Sequence, residues 1–248
     1  MGSANNSGDY AAPPEQVTFD GLLFDMDGTI IDSTEAVEKH WHKIGDEIGV
    51  DSKVILQTSH GRRSIDMLKI LAPEKANWEY VRQMEGLLPL HHGHEASEIL
   101  GARSLLSSLV SASFPSWAIV TSGTVPLVTG WLKALSLPYP PTEELLITAE
   151  SVENGKPAPD GYLLARKRLG LEGEGKKVLV LEDSPAGIRA GKAAGCLVLG
   201  LVTSHTLEQV KAAEPDWIVR DLESVRLVQA DGKGVILELR DAWVGKTE

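Results

Sequence analysis

The sequence predicts an α/β fold: a Rossmann-like parallel sheet core carrying one inserted α-helical cap domain. Three observations predict it. Short apolar runs end abruptly in polar tripeptides, helix-like stretches closed by Gly or Pro lie between them, and one long segment after the first run has no buried strand of its own. Strands that alternate with helices form a parallel sheet covered on both faces, and ligands of such sheets bind where the strands end. A chain of 248 residues suits one such core with a smaller insertion. Its 42% hydrophobic and 24% charged residues suit a packed interior.

Taken in order, residues 1–16 are rich in Gly, Ser, Asn, Ala and Pro and read as a flexible leader. From Val17 an apolar run passes through Gly21-Leu22-Leu23-Phe24 and breaks at Asp25-Met26-Asp27-Gly28-Thr29, a buried strand ending in a polar turn. Residues 33–97 carry helical patterns, Glu35 to Ile48 and Ser64 to Ile70 among them, and form the predicted cap. Residues 17–32 and 98–248 then make the core. Within it the helix pattern Ala102–Val110 precedes the strand Trp117–Val120, which ends in Thr121-Ser122-Gly123. The helix pattern Asp160–Leu169 precedes Val178–Leu181, which ends in Glu182-Asp183-Ser184. Ala186–Ala194 precedes Leu197–Val202 and Thr203-Ser204. Gly234–Leu239 alternates weakly and reads as an edge strand, with Asp231-Gly232 as a hairpin turn before it. There is no internal repeat.

The net charge of −11 works against nucleic acid and anionic membranes as partners. An anionic substrate must therefore be held by local cations, backbone N–H groups and a metal ion. No apolar stretch approaches the roughly 20 residues of a membrane span, and no basic segment followed by an apolar one opens the chain. The one cysteine, Cys196, excludes an intramolecular disulfide and points to a reducing, cytoplasmic setting. Among apolar neighbours it reads as a small buried hydrophobe and not as a nucleophile.

Asp25 and Asp27 leave the first strand on the same side of the chain. Such a pair either binds a cation, or one carboxylate attacks an electrophile while the other, protonated, serves the leaving group. A calcium loop does not fit, because its closing Glu would stand at position 36, which is Ala36. Gly28 allows a tight turn, and Thr29 offers a hydroxyl and an N–H to an anion. Thr121, Ser122 and Gly123 can hold phosphate oxygens. Lys156, stiffened in Gly155-Lys156-Pro157-Ala158-Pro159, can neutralise both Asp25 and a phosphoryl group. Glu182 and Asp183 add the carboxylates that a hard cation such as Mg²⁺ prefers.

These four sites, in this order, resemble the motifs of the haloacid dehalogenase superfamily, and the resemblance covers almost all of the chain after the leader. It implies Asp25 as nucleophile, Asp27 as general acid and then base, and Mg²⁺ held by Asp25, the Asp27 carbonyl and Asp183, with Glu182 bound directly or through water. It implies too that the long gap between the first and second motifs holds a helical cap, which closes over substrate and excludes water. Within the superfamily, Ser59-His60-Gly61-Arg62-Arg63, Met84-Glu85-Gly86 and Ser184-Pro185-Ala186-Gly187-Ile188 are similar to phosphatases of glycerol phosphate and 2-deoxyglucose 6-phosphate.

The expected partner is thus a small phosphorylated metabolite, with no nucleic acid or membrane, and the expected state is a monomer. His60, Arg62, Arg63 and Glu85 are the cap residues expected to reach it, since hydroxyls and phosphate oxygens call for such partners. His91, His92 and His94 match no common zinc spacing and read as a solvated loop. Trp41, Trp78 and Trp131 read as packing residues. A phosphomutase would share the aspartyl phosphate and differ only in cap chemistry. A dehalogenase would not need Asp27, and a decayed binding protein would show damage to a motif, of which there is none.

Overall fold

A computed structural model describes residues 10–59 and 61–244, apart from the side chains at 57–59. Expectations for residues 1–9 and for His60 lie outside the described residues. The expected single run from Val17 is two strands. Strand β1 (Glu15–Phe19) ends at Asp20, and β2 (Gly21–Phe24) begins in a different sheet. Strand β1 starts inside the expected leader, and the Ala12 N–H donates to the Ala242 carbonyl at 3.1 Å, so the leader does not run to Gln16.

After β2 the chain crosses β3 (Ile31–Asp32) into five helices: α1 (Thr34–Ile48), α2 (Ser52–Ser59), α3 (Ser64–Leu71), α4 (Trp78–Gly86) and α5 (Leu88–His92). It returns through β4 (Ser97–Glu98). The outgoing and returning strands pair antiparallel, Ile31 opposite Glu98 and Asp32 opposite Ser97. The insert has an apolar cluster of its own, in which Trp41 and Ile44 of α1 meet Ile55, Ile65, Leu68 and Val81. Asn77 starts α4 by accepting the Tyr80 N–H at 2.9 Å, a side-chain cap.

The rest alternates strand and helix: α6 (Ala102–Ser111), β5 (Trp117–Val120), α7 (Val125–Ala134), β6 (Leu146–Ile147), α8 (Asp160–Arg168), β7 (Val178–Glu182), α9 (Pro185–Ala193), β8 (Leu197–Leu201), α10 (Leu207–Lys211) and β9 (Trp217–Val219). Six strands form a parallel sheet in the order β6-β5-β2-β7-β8-β9. Its strands read as unbroken apolar runs because both faces are covered. Leu22, Phe24, Leu179 and Leu181 face α6 and α7, whereas Leu23, Val178 and Val180 face α8 and α9. Helix α9 starts at Pro185, with Ser184 accepting the Gly187 N–H at 3.0 Å.

The C-terminal hairpin joins β10 (Val225–Asp231) and β11 (Gly234–Leu239). Strand β11 is not an edge: it pairs with β10 on one side and β1 on the other. Asp231 is the last paired residue of β10, opposite Gly234, so the turn residues are Gly232 and Lys233.

Candidate active site

Parallel pairing brings the polar tripeptides together. Phe24, the last residue of central β2, stands opposite Ile119 of β5 and Leu181 of β7. The next residues on the three strands therefore include Asp25, Val120-Thr121 and Glu182-Asp183, side by side at the carboxyl end of the sheet. The Asp25 N–H donates to the Leu181 carbonyl and the Thr121 N–H to the Ile147 carbonyl, extending the ladder by one step on each strand.

Beyond Asp25 the chain turns sharply. The N–H groups of Thr29, Ile30 and Ile31 converge on the Met26 carbonyl at 2.8–3.2 Å, which keeps the Asp27 carbonyl outside the turn's own bonds. Gly28 adopts φ +89°, and a Cβ there would collide with the Asp183 carboxylate, so glycine is required by both backbone and space. The Asp27 carboxylate accepts the Ser33 hydroxyl at 2.5 Å. Burial raises its pKa, with the Asp183 charge adding to that and the Ser33 bond opposing it, which favours the proton-carrying form.

Lys156 reaches the site from behind Asp25. Its ammonium donates to Asp25, to Glu182 Oε1 at 2.7 Å and to the Val120 carbonyl at 3.1 Å, and it lies 5.2 Å from the centre of the Tyr162 ring. Burial alone would lower its pKa, but attraction to Asp25 and Glu182 outweighs that and holds the ammonium above the ordinary lysine range. Burial raises the Asp25 carboxyl well above its ordinary value; Lys156 pulls it down, and the Glu182 and Asp183 charges push it up. Two buried carboxyl groups, Asp25 and Glu182, thus share one ammonium, and the Asp183 charge stands close by.

Oxygens of Asp25, Glu182 and Asp183 lie within 4.8 Å of one another, an all-oxygen set with excess negative charge that fits a hard divalent cation. The three are not equivalent. Glu182 is fully buried, and each of its oxygens already accepts two hydrogen bonds, Oε1 from Lys156 and Tyr162, Oε2 from the Ser184 N–H and hydroxyl. Those four bonds match the roughly four acceptor sites of a carboxylate and fix its orientation in the cluster. Glu182 thus anchors Lys156 and the start of α9 while its carboxylate stands in the same cluster as those of Asp25 and Asp183. Asp25 and Asp183 both line the open cavity. Asp183 accepts from the Thr29 hydroxyl at 3.2 Å and from the Ser204 hydroxyl.

The cavity, of about 100 Å³, lies between the strand ends and the helical insert. Asp25, Asp27, Thr121, Ser122 and Gly123 line the sheet side. The Thr121 hydroxyl oxygen accepts the Gly123 N–H at 3.0 Å, and the Ser122 hydroxyl donates to the Gly61 carbonyl at 2.9 Å, so this loop grips the insert. Thr29 is placed differently from its expected anion-binding role. It is fully buried, its hydroxyl is given to Asp183 and its N–H to Met26, and it does not reach the cavity.

The three described candidates of the insert separate. Arg62 and Glu85 line the cavity. Arg63 is 4% exposed and turned away from it: Nε donates to Asp66 at 2.7 Å, and the other nitrogens donate to the carbonyls of Ala149, Val152 and Glu153 at 2.8–3.2 Å. The substrate contact expected of Arg63 is therefore corrected to a clamp between α3 and the loop leading to Lys156. Glu85 spans the same boundary, with Oε1 accepting the Ser64 hydroxyl at 2.6 Å and Oε2 the Thr124 N–H at 2.8 Å.

Sequence reasoning missed Ser33, His40, Trp41, Ser64, Ser204 and His205, all of which line the cavity. For the first three a signal existed: Ser33, Val37, His40 and Trp41 fall at helical spacing directly after the Asp-x-Asp turn, on one stripe of α1. Trp41 also packs in the insert's core, as does Trp78 at its margin, and Trp131 is buried in the main core. His91 and His92 end α5 instead of lying in a loop, and His92 Nδ1 is 2.9 Å from Glu95.

A family model for haloacid dehalogenase-like hydrolases matches residues 19–195. The chain is 38% identical over 220 residues to glycerol-1-phosphate phosphohydrolase 2 of Saccharomyces cerevisiae, covering 86% of this chain and 87% of that protein. It is 35% identical over 240 residues to 2-deoxyglucose-6-phosphate phosphatase 2 of the same yeast, covering 91% and 97%. A hydrolase from Pseudomonas syringae superposes with a TM-score of 0.66 at 26% identity, over 82% of this chain and 94% of that one.

Proposed function

The chain belongs to the haloacid dehalogenase-like hydrolases, and within them we propose that it is a Mg²⁺-dependent phosphatase of small polyol or sugar phosphates that works through an aspartyl phosphate on Asp25. The observation that carries this reading is the strand-end arrangement: Asp25 and Asp183 face the cavity, Lys156 backs Asp25, and Asp27 lies beside them with its pKa raised by burial.

In the first half-reaction an Asp25 carboxylate oxygen attacks phosphorus and the bond to the ester oxygen breaks. Asp27 gives its proton to that oxygen, and the alcohol leaves. In the second, Asp27 takes a proton from water as the water oxygen attacks phosphorus. Inorganic phosphate departs and both carboxyl groups return to their starting states. Lys156 offsets the charge of Asp25 throughout, and the Thr121 hydroxyl and the Ser122 N–H hold phosphoryl oxygens. When bound, Mg²⁺ would be held by Asp25, Asp183 and the Asp27 carbonyl, and it supplies the positive charge that three buried carboxylates and a phosphate demand. Residues 33–97 act as the cap, pivoting on the β3–β4 ribbon where the two chain crossings pair. The lone free cysteine, buried and with its thiol pushed up to about 11 by burial, accords with a cytoplasmic setting and takes no part in the chemistry.

A mutase would use the same first step, but the relatives at 35% and 38% identity are named as phosphatases. The test is a phosphate-release assay over glycerol, hexose and deoxyhexose phosphates, with Mg²⁺ and with chelator. Release of phosphate that stops on chelation and returns with Mg²⁺ is expected. Release indifferent to chelation, or an isomerised sugar phosphate in place of free phosphate, would overturn the proposal.

A further inference from the structure

The helical insert brings to the cavity two buried polar groups that are under-partnered. Glu85 of α4 is 4% exposed and His40 of α1 is 7% exposed, and both line the cavity from the helical insert. Glu85 accepts two hydrogen bonds, from Ser64 and Thr124, and forms no ion pair among the described residues. A carboxylate offers about four acceptor sites, so two remain while the charge is shielded from water. Burial accordingly pushes its pKa up to about 7. The Nε2 of His40 has no hydrogen-bond partner among the described residues. Burial holds its pKa down to about 4, so at neutral pH the ring is uncharged and offers one N–H and one lone pair.

Two buried polar groups left short of partners in one wall are costly in a protein whose other buried polar atoms are mostly satisfied. Neither is a phosphate site. A carboxyl group repels phosphate, and a neutral imidazole adds no charge to attract it. Both suit an alcohol: a hydroxyl donates to Glu85, and a second one accepts from or donates to His40. The apolar faces of Val37 and Trp41 on the same stripe of α1 leave room for carbon between them.

We propose that Glu85 and His40 form a subsite for two hydroxyl groups of the substrate's alcohol portion, so that the enzyme selects phosphate monoesters of polyols over esters of the same length without hydroxyls. This rests on the phosphatase reading above and specifies its substrate class. Glu85 contributes through its free acceptor sites, and Ser64 and Thr124 keep its carboxyl aimed from the insert across to the start of α7.

The test compares kcat/KM for glycerol 3-phosphate, 3-hydroxypropyl phosphate and propyl phosphate in the full-length protein with Mg²⁺. The readout is the ratio between substrates, which a purely structural role of either residue would not move. The wild type is expected to favour glycerol 3-phosphate over propyl phosphate by about 100-fold, roughly tenfold per hydroxyl. Glu85→Gln and His40→Phe are each expected to cut that ratio about tenfold, whatever happens to absolute rates. A wild-type ratio near one would overturn the subsite without use of any variant, and so would an unchanged ratio in both variants. If the wild type releases phosphate from all three esters without preference, the phosphatase reading stands and the subsite falls. If it releases phosphate from none, nor from any hexose phosphate, the phosphatase reading falls and the subsite with it.

Discussion

At the strand ends, Asp25, Asp183, Lys156 and Glu182 occupy positions set by the register of two adjacent parallel strands and one stiff loop. At the helical wall, Arg62 and Arg63 are neighbours in sequence, yet one lines the cavity and the other spends its guanidinium on core carbonyls. The difference teaches where side-chain placement comes from. In a parallel sheet the residue after the last ladder bond has one place to go, so residue type and order nearly define the site. In the turn before α3, where Arg62 and Arg63 lie, no ladder fixes direction, and packing of Arg63 against the carbonyls of Ala149, Val152 and Glu153 decides which arginine faces in.

The largest expected break of the strand-end arrangement is Lys156→Met. It leaves Asp25 and Glu182 without their shared cation, and removal of one partner from a buried pair costs about 3–5 kcal/mol. Phosphate release should fall below detection, and chemical denaturation should show the loss of stability. A variant with wild-type stability would mean that the ammonium is not the group balancing these carboxylates.

On the helical side, Arg63→Ala should cost about 3 kcal/mol, because it strands the Ala149, Val152 and Glu153 carbonyls. Urea unfolding measures it, and a change under 1 kcal/mol would remove the clamp. Glu85 sharpens the same boundary through pH. Its folded pKa of about 7 lies above the ordinary 4.5, so the folded state binds the extra proton between those values. Its contribution to stability is therefore complete below about pH 4.5 and is lost as pH rises toward 7. Relative to wild type, Glu85→Gln should gain stability from pH 5 to pH 8 by at most about 3 kcal/mol. A flat difference would show that the carboxyl is ionised throughout. The smallest effect on stability belongs to Arg62→Ala, within about 0.5 kcal/mol, with a raised KM for the phosphate ester. Equal losses at Arg62 and Arg63 would erase the contrast between them.

Much of the core was legible because its signals are local. An apolar run ending in Asp-x-Asp-Gly, and others ending in Thr-Ser-Gly or Glu-Asp-Ser, name both the strand and its functional end. What stayed hidden depends on contacts distant in sequence. That β11 is central follows from pairing with β1, more than two hundred residues earlier. Thr29 looked like an anion ligand, but its hydroxyl belongs to Asp183. Glu182 stands in the carboxylate cluster as expected, but its bonds to Lys156, Tyr162 and Ser184 were not visible in the sequence. His40 was overlooked although it stands two helical turns beyond Ser33, on the stripe that the Asp27–Ser33 bond turns toward the site.

The central claim is that Asp25 carries the phosphoryl group between the ester and water. Acid quenching during turnover, followed by mass spectrometry of the proteolysed chain, tests it most directly. The account predicts a phosphoryl group on the peptide bearing Asp25, lost together with turnover in a folded Asp25→Asn variant. A phosphoryl group found on another residue, or continued Mg²⁺-dependent phosphate release by Asp25→Asn, would contradict it.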